Sequence, residues 1–358
     1  LSLYDSKSGE RGIYNGMSAK KTVEQLNERY KDGDGEFITR RIAKEDFGTN
    51  PCSEIILRSR EFCNLSECVV RREDTRESLK EKVRTAAILG TFQSTLTEFK
   101  YLSREWKKNC EEERLLGVSL TGIMDNPLTN GSKKGLAELL EELRNVAYET
   151  NKEWSEKLGI PTSAAITCVK PSGTVSQLVD SASGIHARHN PFYIRTVRAD
   201  NKDPLCKLMQ DMEFPNEADV TKPEHTTVFS FPMKTPKGAI CRMDMTALEQ
   251  LELWKVYATN WCEHKPSVTI SVKEDEWVEV AAWVYEHFDS ISGISFLPFS
   301  DHVYRQAPYQ DCTEEEYKEA LKTMPKNVDW AELSKYESQD YTIASQELAC
   351  TAGGCEII

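Results

Sequence analysis

Short apolar runs alternate with amphipathic stretches along most of the chain. Runs of apolar and β-branched residues predict strands at 115–124, 163–169, 226–231, 267–272 and 293–299. Between them, apolar residues recur every three or four positions and predict helices at 74–92, 136–158, 246–262 and 275–288. This alternation predicts an α/β fold in which crossover helices join parallel strands. The pattern leaves open whether the strands form an open sheet or a barrel.

Composition and charge narrow the range of functions. The 358 residues carry 45 basic and 58 acidic side chains, a net charge of −13, which argues against a sequence-independent grip on nucleic acid. No apolar run approaches the ~20 residues of a membrane-spanning helix, and the sequence opens at Leu1 without a basic-then-apolar signal segment. We therefore expect a cytoplasmic protein with no membrane partner and no direct nucleic-acid partner.

A thiol lies between an amide and a carboxylate in the segment Asn50-Pro51-Cys52-Ser53-Glu54. If the segment is extended, residues 50, 52 and 54 point the same way. The amide can hold a hydroxyl group and the carboxylate can take its proton as a general base, with the sulfur between them. A buried carboxylate must be paired or face a ligand, which favours a site. The competing interpretation is a chance turn, which Asn-Pro favours.

Cys63 follows Cys52 by eleven residues. If the chain reverses around residues 58–60, positions 52 and 63 return opposite each other, and two thiols in one cavity would suit a redox step. The alternative is that Cys63 and Cys68 are ordinary strand residues.

Cys350 and Cys355 enclose a Gly-Gly pair and lie at the end of the sequence. Glycines make such a loop easy to close, which suits a mobile dithiol that exchanges disulfides. A simple dithiol–disulfide oxidoreductase would need only this pair. Together with Cys63 and Cys68, the pair also has a spacing that zinc sites use, which would make the chain a zinc-stabilised binding module. The histidines show no metal-ligand spacing, and we expect no metal site.

The segment Pro171-Ser172-Gly173-Thr174-Val175-Ser176 lies between a predicted strand and a predicted helix. Backbone N–H groups and hydroxyls at such a junction can cradle phosphate. The segment has no Gly-Lys-Ser and is not a Walker loop. An ordinary strand-to-helix turn is the alternative.

Together these features resemble the catalytic subunit of a ribonucleotide reductase, in particular the monomeric adenosylcobalamin-dependent type. The motifs named above carry the resemblance, together with SLYDSKSGERGIYN at 2–15 and GVSLTGI at 117–123. It implies an α/β fold that is part of a ten-stranded α/β barrel, with a catalytic finger loop at about 50–63. Residues 1–328 would form the C-terminal part of this barrel, and residues 329–358 a flexible tail that carries the redox dithiol.

The resemblance also implies roles for individual residues. Cys52 would become the thiyl radical that abstracts the 3′-hydrogen of ribose, Asn50 would bind the sugar hydroxyls, and Glu54 would take the 3′-hydroxyl proton as the 2′-hydroxyl leaves as water. Cys63 would be one of two electron-delivering thiols, recharged by the Cys350 dithiol, and residues 171–176 would hold the substrate phosphates. A sulfur radical must be kept from solvent, so we expect the Cys52 sulfur inside a closed cavity.

The radical source separates the classes of this family. An iron-dependent reductase passes the radical through two adjacent tyrosines near its C-terminus, whereas Tyr336 and Tyr341 are not adjacent and the sequence contains no Tyr-Tyr pair. The Gly353-Gly354 pair between cysteines does not fit a glycyl-radical motif. Adenosylcobalamin is the remaining choice, and the text SKSGERG supports it. The resemblance further implies a ribonucleoside triphosphate substrate, thioredoxin as reductant, a deoxynucleotide effector and a monomeric enzyme of DNA precursor synthesis.

One part of the family pattern is missing. The second reducing cysteine of the family lies well upstream of the finger loop, and no cysteine precedes Cys52 here. The region that binds the effector and the early barrel strands belong to the same upstream part. We therefore expect the chain to be a fragment that covers roughly the C-terminal half of such an enzyme, and to be inactive alone.

Overall fold

The computed structural model describes residues 5, 12–29, 41–42, 46–299 and 305–337. The strands are β1 (Gly12–Tyr14), β2 (Gly48–Thr49), β3 (Ile56–Leu57), β4 (Asn64–Val69), β5 (Leu116–Thr121), β6 (Thr167–Cys168), β7 (Phe192–Asp200), β8 (Asn216–Ala218), β9 (Thr226–Lys234), β10 (Thr269–Val272), β11 (Gly293–Pro298) and β12 (Tyr309–Asp311). The α-helices are α1 (Gly16–Arg29), α2 (Arg76–Gln93), α3 (Arg104–Glu113), α4 (Leu136–Leu158), α5 (Gly173–Leu178), α6 (Pro204–Asp211), α7 (Ala247–Asn260), α8 (Trp277–Glu286) and α9 (Glu314–Thr323). The chain divides into a larger unit, Leu1–Arg188 with Gly238–Phe299, and a smaller unit, His189–Lys237 with Ser300–Ile358.

A parallel sheet in the order β4-β5-β6 forms the centre of the larger unit. All residues of β5 are buried, as expected of a central parallel strand that is covered on both faces. Helices α2 and α3 connect β4 to β5, and α4 connects β5 to β6. Each connection is therefore the helical crossover that the alternating pattern predicts.

A second sheet of the larger unit has the order β1-β11-β10, with β10 parallel and β1 antiparallel to β11. A parallel bridge between Val169 and Pro266 links the end of β6 to the segment before β10. The α/β class predicted from the sequence is confirmed as a mixed α/β fold. Within the described ranges, however, the strands form small open sheets and no closed ring of ten.

The amphipathic helices lie where the hydrophobic periodicity places them. Helix α2 begins after Thr75, whose hydroxyl accepts the Ser78 N–H, and α4 ends at Gly159, whose φ of 66° favours glycine. No helix in the described part of the chain is long and apolar enough for a bilayer span. With α7, these helices and the central sheet share one apolar core: Leu79, Val83, Leu116, Leu120, Leu140, Leu143, Leu251 and Trp254.

The smaller unit is built on an antiparallel sheet of order β12-β7-β9-β8. The prediction of parallel strands is wrong here, because apolar runs look alike in parallel and antiparallel pairs. β7 and β9 pair along their full length. The apolar cluster of this unit is formed by Cys206, Met209, Phe214 and Phe229.

The first residues of the predicted tail pack within the smaller unit. Trp330–Lys335 form a 3₁₀ helix, and the Trp330 ring lies 5.9 Å from the Phe214 ring. The Tyr336 hydroxyl donates to Asp211 at 2.7 Å. The remainder of the predicted tail, including Cys350 and Cys355, lies outside the described residues.

Candidate active site

Residues 50–54 form the tip of a tight hairpin. β2 pairs with β3 in a register that centres the reversal between Cys52 and Ser53. The Ser53 N–H donates to the Asn50 carbonyl oxygen at 2.9 Å, and Ser53 adopts a left-handed φ of 68°. The expected alternation of residues 50, 52 and 54 on one face of a strand is therefore wrong, because the segment is a turn.

The predicted pairing of Cys52 with Cys63 across a reversal at residues 58–60 is also wrong. The chain does turn there, with Arg60 at a φ of 57°, but β3 pairs with β2, and β4 pairs with β5. Strands of two residues carry too little hydrophobic pattern to reveal their partner in the sequence.

Cys52 is exposed, which contradicts the expectation of a sequestered sulfur. Its backbone is nevertheless held, because Ser267 Oγ donates to the Cys52 carbonyl oxygen at 2.6 Å. The tip of the turn lies at the surface of the larger unit, and no described residue buries it.

Glu54, two residues further on, is fully buried. The Lys170 ammonium lies 3.0 Å from Glu54 Oε1, whereas Glu54 Oε2 has no hydrogen-bond partner among the described residues. Burial by itself would lower the pKa of Lys170, but the Glu54 carboxylate reverses the shift and raises it. The pair therefore leaves one buried carboxylate oxygen able to accept a hydrogen bond.

The amide of Asn50 supports the turn. Its Oδ1 accepts the Ile55 N–H at 3.0 Å, while its Nδ2 makes no hydrogen bond within the described part of the chain. The Oδ1 contact fixes the direction of the amide, so Nδ2 is the group that can donate to a hydroxyl.

Cys63 lies against the central sheet next to a position that has no side chain. A Cβ on Gly117 would overlap Leu65 and lie 3.1 Å from Cys63 Sγ. Burial, aided by the charges of Glu54 and Glu61, raises the pKa of Cys63 well above its usual value. Cys63 is therefore a neutral thiol at physiological pH.

A connecting segment between α7 and β10 holds both sides of the hairpin. The Lys265 N–H donates to the Glu54 carbonyl oxygen at 3.1 Å, and the Ile56 N–H donates to His264 Nδ1 at 3.3 Å. His264 Nε2 lies 3.0 Å from the Leu116 carbonyl oxygen. Burial, with nearby positive charges, lowers the pKa of His264 to about 3, so the ring is neutral and donates through Nε2. We name residues 263–267 the hairpin clamp.

The hairpin clamp is not predictable from a local sequence pattern. It includes Lys265, whose Nζ donates to Ser53 Oγ at 2.8 Å. The only available signal was the charged run Glu263-His264-Lys265 between an apolar helix and an apolar strand. Its contacts with the hairpin lie more than 200 positions away along the chain, so no local pattern connects it to Cys52.

Two arginines and two glutamates form a buried charge cluster next to the C-terminal end of the segment 50–63. Arg41 Nε lies 2.8 Å from Glu113 Oε2, and the Arg58 Nε lies 3.5 Å from Glu61 and 3.4 Å from Glu113. Burial and the Glu113 charge raise the pKa of Glu61 to about 8. Glu61, two residues from Cys63, therefore holds its proton at neutral pH.

The predicted phosphate segment occupies the junction between β6 and α5. Helix α5 begins at Gly173, and Gly173, Thr174 and Val175 are exposed. Ser172, which precedes the helix, is buried at a left-handed φ of 55°. Because Lys170 comes directly before this segment, its pairing with Glu54 brings the predicted phosphate segment close to the turn at residues 50–54.

Cys63 and Cys68 do not present two ligands to one ion. Cys68 belongs to the main core of the larger unit, whereas Cys63 packs against a separate cluster with Leu26 and Leu115. Within the described ranges, no group of three or more His, Cys, Asp or Glu side chains could hold a metal ion. Cys63 and Cys68 therefore do not supply the first two ligands that the zinc hypothesis requires.

Comparison with known proteins supports the resemblance drawn from the motifs. No family model matches the chain. A curated adenosylcobalamin-dependent ribonucleoside-triphosphate reductase of Lactobacillus gasseri is 26% identical over 381 residues, covering 98% of this chain and 49% of that protein. A protein of the same name from Euglena gracilis is 29% identical over 286 residues, covering 78% of this chain and 38% of its own length. Relatives with this name therefore cover most of the chain, which spans about half the length of the curated relatives it matches.

Solved structures of ribonucleotide reductases also resemble this chain. A crystal structure of a B12-dependent class II ribonucleotide reductase matches with a TM-score of 0.71 and 25% identity, over 82% of this chain and 44% of that one. The α subunit of a class Id ribonucleotide reductase of Actinobacillus ureae matches with a TM-score of 0.53 and 13% identity, over 83% of this chain and 60% of that one, a similarity of fold alone. The mixed α/β fold is thus similar to that of class II ribonucleotide reductases.

Proposed function

We propose that this chain provides the radical-forming thiol and the general base of an adenosylcobalamin-dependent ribonucleoside-triphosphate reductase. One observation carries the proposal. Glu54 is fully buried two residues from Cys52, with one carboxylate oxygen held by Lys170 and the other without a partner among the described residues. Burying a carboxylate oxygen without a hydrogen-bond partner is costly, so the open oxygen marks a position where a ligand is expected to bind. The names of the relatives supply the reaction class.

The residues of the turn divide the first half of the reaction between them. Cys52 Sγ, as a thiyl radical, takes the hydrogen atom from C3′ of the ribose and becomes a thiol. Glu54 Oε2 accepts the 3′-hydroxyl proton while Asn50 Nδ2 donates to a sugar hydroxyl. The 2′-hydroxyl then takes a proton from a reducing thiol and leaves as water. At the end Glu54 returns its proton to the 3′-oxygen, and Cys52 returns the hydrogen atom to C3′.

Cys63 supplies reducing power in this scheme. As a neutral thiol it can give both a proton, to the departing 2′-hydroxyl, and an electron. Two thiols deliver the two electrons and end as a disulfide, so a second thiol is required. Cys350 and Cys355, which lie outside the described residues, would reduce that disulfide and be recharged by thioredoxin.

Residues 171–176 would hold the substrate phosphates through exposed backbone N–H groups at the start of α5. Lys170 then contacts Glu54 on one side and leads into the phosphate segment on the other. This arrangement would fix the distance between the base and the triphosphate.

The surroundings of Cys52 are compatible with adenosylcobalamin. A bulky cofactor has to reach the sulfur from outside, and both Pro51 and Cys52 are exposed at a surface turn. When bound, the cofactor supplies one-electron chemistry that removes the hydrogen atom of a thiol. Cys52 is the residue that it has to meet.

A sulfur radical must also be shielded from solvent, and the described residues leave Cys52 exposed. We propose that the shielding comes from polypeptide equivalent to the half of the relatives that this chain does not match, and that together they complete a ten-stranded barrel around the loop at 50–63. In that assembly, residues 1–328 form the C-terminal part of the barrel and residues 329–358 a tail. A deoxynucleotide effector would act through the other half, and the assembled enzyme would be monomeric.

The test is reconstitution of activity. The chain is combined with the matching N-terminal half of a relative, adenosylcobalamin, reduced thioredoxin and a ribonucleoside triphosphate, and deoxynucleotide is measured by chromatography. We expect product with the native chain and none with Cys52→Ser. Cys312→Ser is the matched control, because Cys312 is a partly exposed thiol in the smaller unit. Equal product from Cys52→Ser and from the native chain would overturn the proposal.

A further inference from the structure

Lys265 is a buried lysine that donates two hydrogen bonds to the turn at residues 50–54. Its Nζ donates to Ser53 Oγ at 2.8 Å, and its N–H donates to the Glu54 carbonyl oxygen at 3.1 Å. The side chain is only 2% exposed, which is unusual for lysine unless it has a specific partner. Gly293 leaves space for the contact, since a Cβ there would overlap Lys265 Nζ and lie 2.6 Å from Ser53 Oγ.

Ser53 is the residue on which this contact acts most directly. It holds a left-handed φ of 68°, a conformation that costs free energy for a residue with a Cβ and persists only where its surroundings enforce it. Its conformation sets the direction of Cys52, which precedes it, and of Glu54, which follows it. A charge-assisted hydrogen bond to its hydroxyl is one such enforcing contact.

We propose that Lys265 is a positioning residue for Cys52 and Glu54, which it holds in place through the Ser53 hydroxyl. The inference deepens the proposed function, because Cys52 and Glu54 matter only if they carry the chemistry. Its structural part stands without that function. Glu54 Oε2 has no hydrogen-bond partner among the described residues, so Lys265 does not bond to it and acts as a positioning residue rather than a catalytic one.

Burial makes the hydrogen bond of Lys265 sensitive to pH. Burial lowers the pKa of Lys265 to about 7, although the Glu54 carboxylate opposes the shift. The Tyr14 ring lies 5.0 Å from Nζ, and Lys265 lines a cavity of about 360 Å³ together with the charged side chains Lys21, Arg144, Lys255 and Asp289. The ammonium form, which dominates below pH 7, is the stronger donor to Ser53.

Hydrogen exchange of the full 358-residue chain, followed by mass spectrometry, tests the structural part. The peptide that covers residues 50–57 contains the Ser53, Ile55 and Ile56 N–H groups, all of which donate within the hairpin or to the clamp. In Lys265→Met, we expect this peptide to exchange about tenfold faster at pH 6, as for the loss of a hydrogen bond to a charged group. Peptides from β4 and β5 should be unchanged.

Two further variants separate positioning from simple packing. Lys255→Met is the matched control, since Lys255 lines the same cavity but its Nζ faces His287 Nε2 at 2.9 Å. Ser53→Ala should reproduce the tenfold effect, and the double variant with Lys265→Met should exchange no faster than either single variant. The ratio of the exchange rate of residues 50–57 in Lys265→Met to that in the native chain should also be smaller at pH 8 than at pH 6.

The outcomes are distinct. The inference would be overturned if residues 50–57 exchange at the native rate in Lys265→Met. It would also be overturned if the increase in exchange rate in the double variant equals the product of the increases in the two single variants. If exchange behaves as expected but the reconstituted enzyme is inactive with every chain, then the proposed function fails and the structural role of Lys265 stands. In an active reconstituted enzyme, Lys265→Met should lower kcat with little change in KM, because it touches no substrate group.

Discussion

The buried carboxylate of Glu54 forms an ion pair with the Lys170 ammonium, and this pairing stabilises a charged group at the turn of residues 50–54. The Lys170 side chain is 27% exposed and the Glu54 side chain is not exposed at all, so removing Lys170 takes away the ammonium group that forms an ion pair with the buried carboxylate. The Glu54–Lys170 pair can therefore be tested by measuring folding stability, without an assay of activity.

Lys170→Met should destabilise the fold at pH 7 by about 2–3 kcal/mol, because it leaves a buried charge unpaired. The double variant with Glu54→Gln should recover most of that loss, because the charge is then removed as well. Urea unfolding followed by circular dichroism measures both. A double variant no more stable than Lys170→Met would show that the ion pair does not account for the burial of Glu54.

Glu61→Gln should stabilise the chain at alkaline pH. The folded-state pKa of Glu61 is raised to about 8, against an ordinary value of 4.5, so its proton favours the fold fully below pH 4.5 and this contribution is lost as pH rises through 8. Glutamine mimics the protonated form at every pH. We expect no gain near pH 4.5 and a gain of roughly 2–4 kcal/mol at pH 8 in urea unfolding.

The matched control is Glu112→Gln, which removes the exposed carboxylate partner of Arg58 from the same neighbourhood. This variant should show no such pH-dependent gain. A Glu61→Gln gain that is equal at both pH values would contradict the assignment of a raised pKa to Glu61.

At the scale of elements, the sequence predicted what periodicity encodes and missed what long-range contacts encode. Helices α2, α4 and α7 were predictable because their apolar residues recur on one face. The hairpin of β2 and β3 was not, since four residues of strand carry no pattern. The hairpin clamp was not predictable either, because its polar residues acquire meaning only through contacts with distant residues 53–56.

The close approach of β4 and β5 beside Cys63 depends on Gly117. Because an added Cβ would overlap Leu65 and press on Cys63 Sγ, Gly117→Ala should cost about 1–3 kcal/mol of unfolding free energy. Gly48→Ala is the matched strand control, since nothing lies within 4 Å of a Cβ at that position. Thermal unfolding compares the two, and equal losses would show that the Cys63 side of β5 is not tightly packed.

At the scale of the whole molecule, the motifs for a radical reaction and the exposure of Cys52 have to be reconciled. The chain spans about half the length of its curated relatives, and a surface thiol is not where a sulfur radical survives. The proposal that further polypeptide encloses the loop at 50–63 reconciles both observations. It also explains why the described sheets are small and open rather than closed into a ring.

The most direct test of the central claim asks whether a hydrogen atom is taken from C3′ of the sugar by Cys52. The reconstituted enzyme is given an equal mixture of a ribonucleoside triphosphate and the same compound with deuterium at C3′, and the deoxynucleotide formed early is analysed by mass spectrometry. Breaking the C3′–H bond predicts that product from the unlabelled substrate is enriched, and that Cys52→Ser yields no product from either. If labelled and unlabelled product form in equal amounts, the result would contradict the account.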